Sequence, residues 1–341
     1  MIKEAISKIA NSEETLTEAE AQAVAEEIMS GAATPSQIAS FITALRIRGE
    51  NVDHITGFVK VMRAKATPFP AAFSEPVLDT CGTGGDSSGT FNISTAAALV
   101  CAAAGVKVAK HGNRGVSSKC GSADVLDELG IRINIPPEVS ARCLKELNFC
   151  FLFAPVYHQA MKHAIGPRLE IGIRTIFNLV GPLSNPAGAT CQVLGVYDRH
   201  LMELFAKTLA RVGVQRAMIV HGAAGLDEIS AASATLVMEL CADGSINEYT
   251  VQPSDFEMRP CELWDLLGGD AAVNARLICE IFSGSEGPRT NAVLMNAGAG
   301  LYISGRADSL AGGVALARET IHSGSPLQLI ERLHEMTASV A

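Results

Sequence analysis

Three groups of residues in this chain are of types that handle phosphate, and each has its own local logic. The segment Leu78-Asp79-Thr80-Cys81-Gly82-Thr83-Gly84-Gly85-Asp86 sets three glycines in four positions after an apolar run. Asn92-Ile93-Ser94-Thr95 follows, where a small-residue helix is expected to open. Glycine lets backbone N–H groups approach a ligand closely, and a helix N-terminus offers unpaired donors at its positive end. A second apolar run, Val106 to Ala109, ends on Lys110-His111-Gly112-Asn113-Arg114-Gly115-Val116-Ser117-Ser118-Lys119. Cations, hydroxyls and two glycines make a poor strand and a poor helix, but a natural loop over an anion.

The remaining candidates are an acid pair and an arginine. Asp227-Glu228 follows the apolar run Met218 to Val220 in a glycine-containing loop. Adjacent carboxylates there can hold Mg²⁺ when a substrate diphosphate shares the metal. Arg168, near His158 and His163, could pair with a substrate carboxylate. Plain structural readings stand beside each: helix capping for Asn92 to Thr95, a solvated basic turn for Lys110 to Lys119, a solvated acid pair, and a salt bridge for Arg168. The order of loop, helix start and cations favours a multiply phosphorylated small molecule. A Walker loop is excluded because Asp86, not Lys, follows Gly84-Gly85. A dinucleotide fold wants an acid after the second strand, where Lys110 stands.

The elements that must position these groups are legible as an α/β pattern. Thr17-x-x-Glu20 and Thr34-Pro35-Ser36-Gln37 are capping boxes, and Ile38, Phe41, Ile42 and Leu45 form one helical face. A third helix is expected after Asn51, and Thr67-Pro68-Phe69-Pro70 marks a boundary. Beyond it, strands are expected at 76–80, 106–110, 150–154, 192–197, 216–221, 246–251 and 293–296, with helices at 93–104, 138–147 and 200–212. Alternation of this kind predicts a mostly parallel central sheet flanked by helices, with the last-but-one strand in an antiparallel hairpin.

Composition narrows the class. With 341 residues, 31 glycines, 18% charged and 5% aromatic residues, the chain reads as a packed α/β enzyme rather than a disordered or fibrous one. A net charge of −9 argues against nucleic acid or an anionic membrane as partner. Nine cysteines without CxxC spacing are expected as buried reduced thiols. No signal-peptide pattern or membrane span is visible, so a cytoplasmic setting is expected.

The glycine loop, Asn92-Ile93-Ser94-Thr95, Ala109 to Gly121, Asn178 to Pro186, Gln192 to Tyr197, Gly225 to Glu228 and Asn296-Ala297-Gly298-Ala299 together resemble the anthranilate phosphoribosyltransferase family. The resemblance runs in order over nearly the whole chain. It implies transfer of a phosphoribosyl group from 5-phosphoribosyl 1-pyrophosphate (PRPP) to anthranilate, with Mg²⁺, two ions per subunit when PRPP is bound, in a homodimer. It implies a helical N-terminal domain over 1–68, completed by a helical segment around 160–190, and an α/β catalytic domain over 75–341. By position, Gly82, Gly85, Asp86, Thr90, Asn92, Ile93, Ser94, Thr95, Lys110, His111, Gly112, Asn113, Arg114, Gly115, Val116, Ser117, Ser118 and Ser122 would bind PRPP. Gly82, Asn113 and Arg168 would hold anthranilate, with Asn113 and Arg168 the catalytic positions. Ser94, Asp227 and Glu228 match the metal positions. The chain departs from the family at Gln159 and Gly166, where proline is usual, and at Leu169, where a second arginine is often found. Competing readings are a pyrimidine nucleoside phosphorylase, which shares the loops more loosely, and a non-catalytic relative that binds nucleic acid. His111 is left between an acid/base role and simple positioning.

Overall fold

Both threonine capping boxes form as reciprocal pairs, and they start two of the four helices that open the chain. The computed structural model describes residues 1–86, 88–115 and 119–338. Helices α1 (Ile2–Asn11), α2 (Glu18–Met29), α3 (Pro35–Arg48) and α4 (Val52–Lys65) form a bundle. Thr17 and Glu20 exchange hydrogen bonds at the start of α2, as do Thr34 and Gln37 at the start of α3. Ile38, Phe41, Ile42 and Leu45 are buried, and the Phe41 and Phe58 rings stack 6.0 Å apart.

The α/β part begins with β1 (Val77–Gly82), α5 (Ile93–Ala103), β2 (Lys107–Gly112), α6 (Ser122–Glu128), α7 (Pro137–Leu147) and β3 (Phe149–Phe153). Helices α8 (Ala154–Tyr157), α9 (Lys162–Ile171) and α10 (Ile176–Val180) then lead to β4 (Cys191–Gly195). Ala164 of α9 and Phe177 of α10 share the apolar core of the bundle, and Phe177 meets Phe58 edge-on at 5.7 Å. Next come α11 (Met202–Arg211), β5 (Arg216–Gly222), β6 (Thr235–Leu240) and β7 (Ile246–Val251). Four helices close the chain: α12 (Ala271–Phe282), α13 (Pro288–Ile303), α14 (Leu310–His322) and α15 (Ser325–Ala338).

The seven strands form one sheet in the order β3-β2-β1-β4-β5-β6-β7. β1 to β5 are parallel, and β6 and β7 run antiparallel at one edge. Strand alternation divides the core: Leu194, Val196, Ala217 and Ile219 face the bundle side, while Val193, Met218 and Val220 face the other side, where α5 and α13 pack. From β1 the chain steps outward to β2 and β3, then returns to β4 on the other flank of β1. Such a reversal opens a crevice at the C-terminal ends of the two strands.

One expected strand fails, and one observed strand lies outside the expected set. Residues 293–296 are not a strand; they lie inside α13, where Ala292, Ala297, Gly298, Ala299 and Gly300 are buried along with them. A helix buried on every side has no polar face to reveal its period, so a short apolar run reads equally as a strand. β6 was not anticipated, although it is the hairpin partner of the expected 246–251 strand.

Candidate active site

Two glycines paired across the crevice carry the geometry of the site. Gly82 ends β1, Gly195 ends β4, and they are register partners. An ideal Cβ on Gly195 would stand 1.6 Å from the main-chain oxygen of Asp227, and one on Gly82 would stand 2.5 Å from Asp227 Oδ2. Only bare glycine at both positions lets the β5–β6 connection lie across the strand ends. That connection then reaches both sides of the crevice. Asp227 Oδ2 accepts from the N–H of Gly84 at 3.0 Å, and Glu228 Oε1 accepts from the N–H of Ser94 at 3.1 Å. The expected glycine loop, helix start and acid pair therefore converge. Asn296 on α13 steadies the acid loop by exchanging hydrogen bonds with both main-chain groups of Ile229.

Burial, then the neighbouring Asp86, pushes the Asp227 carboxyl up to about 7. Burial, then Asp227, pushes Glu228 up to about 8, with Lys110 opposing. Asp86 Oδ2 is itself shut off from solvent without a donor among the described residues. These carboxylates destabilise one another as they stand, which is the state a divalent cation relieves. An all-oxygen set of two carboxylates and the Ser94 hydroxyl suits Mg²⁺ rather than zinc. Among the described residues no three His, Cys, Asp or Glu side chains form a ready-made cage. Mg²⁺ does not need one, because it keeps waters and shares substrate phosphates.

Lys110 is buried beneath the crevice. Its Nζ donates to the Thr80 carbonyl, to Thr80 Oγ1 at 3.3 Å and to Ser94 Oγ at 3.4 Å. Asp79, pushed up to about 6 by burial, accepts from the His111 N–H at 3.1 Å and from Asn185 Nδ2 at 2.8 Å. Asn92 does not cap α5 with its side chain; instead Nδ2 donates to the Cys120 carbonyl and Oδ1 accepts from Asn274 Nδ2 at 2.9 Å. It thereby ties the helix start to the end of the basic loop. Thr95 Oγ1 is buried without a partner among the described residues. Thr90 sits at the rim, bridged to Leu267.

The rest of the expected set divides. Gly112 is needed because a Cβ there would meet Ser122 Oγ at 2.3 Å, and Ser122 Oγ in turn donates to the Asn113 carbonyl at 3.4 Å. Gly115 donates its N–H to Asp124 at 2.9 Å. Ile93 points its side chain into the sheet core. Arg114 turns away to Asp124 and Asp127 of α6. Val116, Ser117 and Ser118 lie outside the described residues. Arg168 has no carboxylate partner among the described residues; its guanidinium is half-buried 5.4 Å from the Phe177 ring centre, and burial lowers its pKa. The salt-bridge reading of Arg168 is therefore not met among the described residues.

His111 and His158 meet edge-on with ring centres 5.0 Å apart, and each has a buried Nε2 without a partner among the described residues. Burial depresses both, to about 3 for His111 and about 4 for His158. A depressed histidine contributes stability that is present above the unfolded value near 6.5 and is lost as pH falls toward the folded value. Replacing His158 with Gln is expected to remove about 2 kcal/mol of the stability lost between pH 6.5 and 4.5. Urea melts of both proteins at the two pH values check this; identical pH slopes would refute it.

Asn185, Asn274, Gly195 and Arg174 also serve the site and carried no assigned role in the sequence reading. Asparagine and arginine in isolation signal nothing, and each meets its partner only through the fold.

The comparisons place the chain in a family. A model described as the helical bundle domain of a glycosyl transferase family matches residues 3–66, and one described as that family's a/b domain matches residues 74–327. The anthranilate phosphoribosyltransferase of Citrifermentans bemidjiense is 49% identical over 350 residues, covering 99% of each chain. The crystal structure of the Thermus thermophilus enzyme of that name superposes with a TM-score of 0.92 at 41% identity, covering 99% of each chain. The Saccharomyces cerevisiae enzyme in complex with PRPP and Mg gives a TM-score of 0.90 at 28% identity, covering 99% of this chain and 98% of that one. The same yeast enzyme is also known in complex with 4-fluoroanthranilate.

Proposed function

The chain belongs to the anthranilate phosphoribosyltransferase family of glycosyl transferases, and from that premise we propose how its cleft performs the reaction. It is a pentosyltransferase that moves the 5-phosphoribosyl group of PRPP onto anthranilate, giving N-(5-phosphoribosyl)anthranilate and pyrophosphate. This is the second step of tryptophan biosynthesis from chorismate. The observation that carries the residue assignments is the seating of Asp227 over the paired glycines, which puts an acid pair onto an anion-binding loop.

The loop from Gly82 to Asp86, the start of α5 and Lys110 bind the phosphorylated sugar, using main-chain donors and one buried cation. Asp227, Glu228 and Ser94 hold Mg²⁺, with two ions per subunit when PRPP is bound. Mg²⁺ supplies charge neutralisation of the departing pyrophosphate. Arg168 pairs with the anthranilate carboxylate, and Asn113 helps turn the amine toward the anomeric carbon. The attacking arylamine is neutral, so no prior deprotonation is needed. His111 is buried, burial depresses its pKa to about 3, and it is assigned to positioning. We assign residues 1–68 with the 160–190 segment to a helical domain and 75–341 to the catalytic domain. A homodimer through the helical domain is supported by Ile47 of α3 and Leu169 of α9, which are 79% and 73% exposed on two helices that pack together. No helix among the described residues is long and apolar enough to cross a membrane, and a cytoplasmic setting without nucleic-acid or membrane partners fits the net charge of −9.

The reaction is tested by the loss of anthranilate fluorescence on mixing protein, PRPP and Mg²⁺, with each omitted in turn. Arg168→Ala is expected to raise the KM for anthranilate by about 10- to 100-fold, the worth of a charge-assisted pair, while the KM for PRPP changes little. Equal changes in both constants would show that Arg168 is misassigned.

A further inference from the structure

Arg174 stands in the turn between α9 and α10 and grips the glycine loop from its carbonyl side. Its Nη2 donates to the carbonyl oxygens of Thr83 and Gly84, both at 3.0 Å. The guanidinium lies over the Tyr197 ring, 4.1 Å from its centre, and the Tyr197 N–H donates to Thr83 Oγ1 at 3.3 Å. Gly85 has φ +80°, and an ideal Cβ there would stand 1.8 Å from Arg174 Nη1. The space beside Gly85 is thus taken by the guanidinium. The Arg174 Nε–H is shut off from solvent with no acceptor among the described residues.

Peptide planes in a glycine-rich loop rotate easily, because neither Gly84 nor Gly85 has a side chain to restrict them. An anion is attracted by N–H groups and repelled by carbonyl oxygens, so the orientation of those planes decides whether the loop binds phosphate. Charge-assisted hydrogen bonds from one rigid guanidinium to two successive carbonyls hold the oxygens turned toward Arg174. Gly84 is secured at both ends, its carbonyl by Arg174 and its N–H by Asp227.

We propose that Arg174 is a positioning residue for the phosphoribosyl donor: by holding the Gly84 carbonyl it keeps the Gly85 N–H of the same peptide plane facing the diphosphate, and by holding the Thr83 carbonyl it keeps the Gly84 N–H on Asp227, without itself contacting anthranilate. This rests on the reading of the loop as the PRPP site. Since α9 packs on the helical bundle, the same grip ties the donor loop to the helical domain.

The test is calorimetric titration of PRPP with Mg²⁺ into the wild type, Arg174→Ala and Arg174→Lys, alongside both Michaelis constants and melting temperatures. Arg174→Ala is expected to weaken PRPP binding by about 10- to 100-fold, the scale of one hydrogen bond to a charged group, because a positioning residue passes only part of its two bonds on to the ligand. The KM for anthranilate should stay within about twofold, and the melting temperature within a few degrees. Arg174→Lys should not restore donor affinity, because an ammonium cannot span both carbonyls while stacking on Tyr197. It also keeps the test open if the alanine variant fails to fold. Gly85→Ala should do less harm to donor binding in the Arg174→Ala background than in the wild type, since the guanidinium it would strike is gone. Unchanged donor affinity in Arg174→Ala, equal weakening of both substrates, or full rescue by lysine would each overturn the proposal. A wild type that binds anthranilate but no PRPP would instead bring down the reading of the cleft, and this proposal with it.

Discussion

The double variant Asp227→Ala, Glu228→Ala is expected to lose turnover by roughly a thousandfold or more at physiological Mg²⁺, while remaining folded. Both carboxylates are half-buried at the crevice, Asp227 against the glycine loop and Glu228 against the start of α5, and carry the proposed metal site. Loss of folding is not expected, because their native environment disfavours them as anions. Asp227 is raised to about 7 and Glu228 to about 8, chiefly by burial. For acids raised in this way, stability is present at low pH and is lost as pH rises through the folded values. Without Mg²⁺, the double variant should therefore lose less stability than the wild type between pH 5 and pH 8. Turnover at the wild-type rate would refute the metal assignment, and an unchanged pH slope would refute the electrostatic account.

Gly195→Ala is expected to be nearly as damaging to activity, though the residue bears no functional group. The new methyl would fall 1.6 Å from the Asp227 oxygen and 2.4 Å from its carbonyl carbon, both main-chain atoms. Ordinary contact requires the acid loop to withdraw by more than 1 Å, and misplacement on that scale costs about 100-fold in rate. Overpacking of this kind should cost about 1–3 kcal/mol of stability. The discriminating measurement is turnover beside a denaturant melt: a well-folded variant within a fewfold of wild-type activity would show that the close approach of Asp227 is dispensable.

Most of the architecture was legible because it is written locally. The Thr17–Glu20 and Thr34–Gln37 boxes act over three residues, and both form as read. Strand, glycine loop, helix and second strand follow in sequence order, so β1, α5 and β2 could be placed from apolar runs and breakers alone. The failures have the same cause seen from the other side. Val293 to Asn296 is buried on every side in α13, so no polar face betrayed its helical period. Thr235 to Leu240 is a strand by virtue of pairing with β5 and β7, not through any strong signal of its own.

The kinds of chemistry proposed, meaning a glycine loop for an anion, a cluster of cations, an oxygen-donor acid pair and an arginine for a carboxylate, are properties of residue type and short spacing, whereas the burial of Lys110 in β2 is a result of the fold. Which of them meet was settled by the fold. Gly84 and Asp227 are 143 positions apart and joined by a 3.0 Å hydrogen bond. That contact exists because the chain reverses across β1 and lays β4 and β5 beside it, a long-range pairing that no local pattern encodes. The same reversal sets Gly195 beside Gly82 and beneath Asp227, whereas the turn of Arg114 toward α6 is a local matter of ten to thirteen residues.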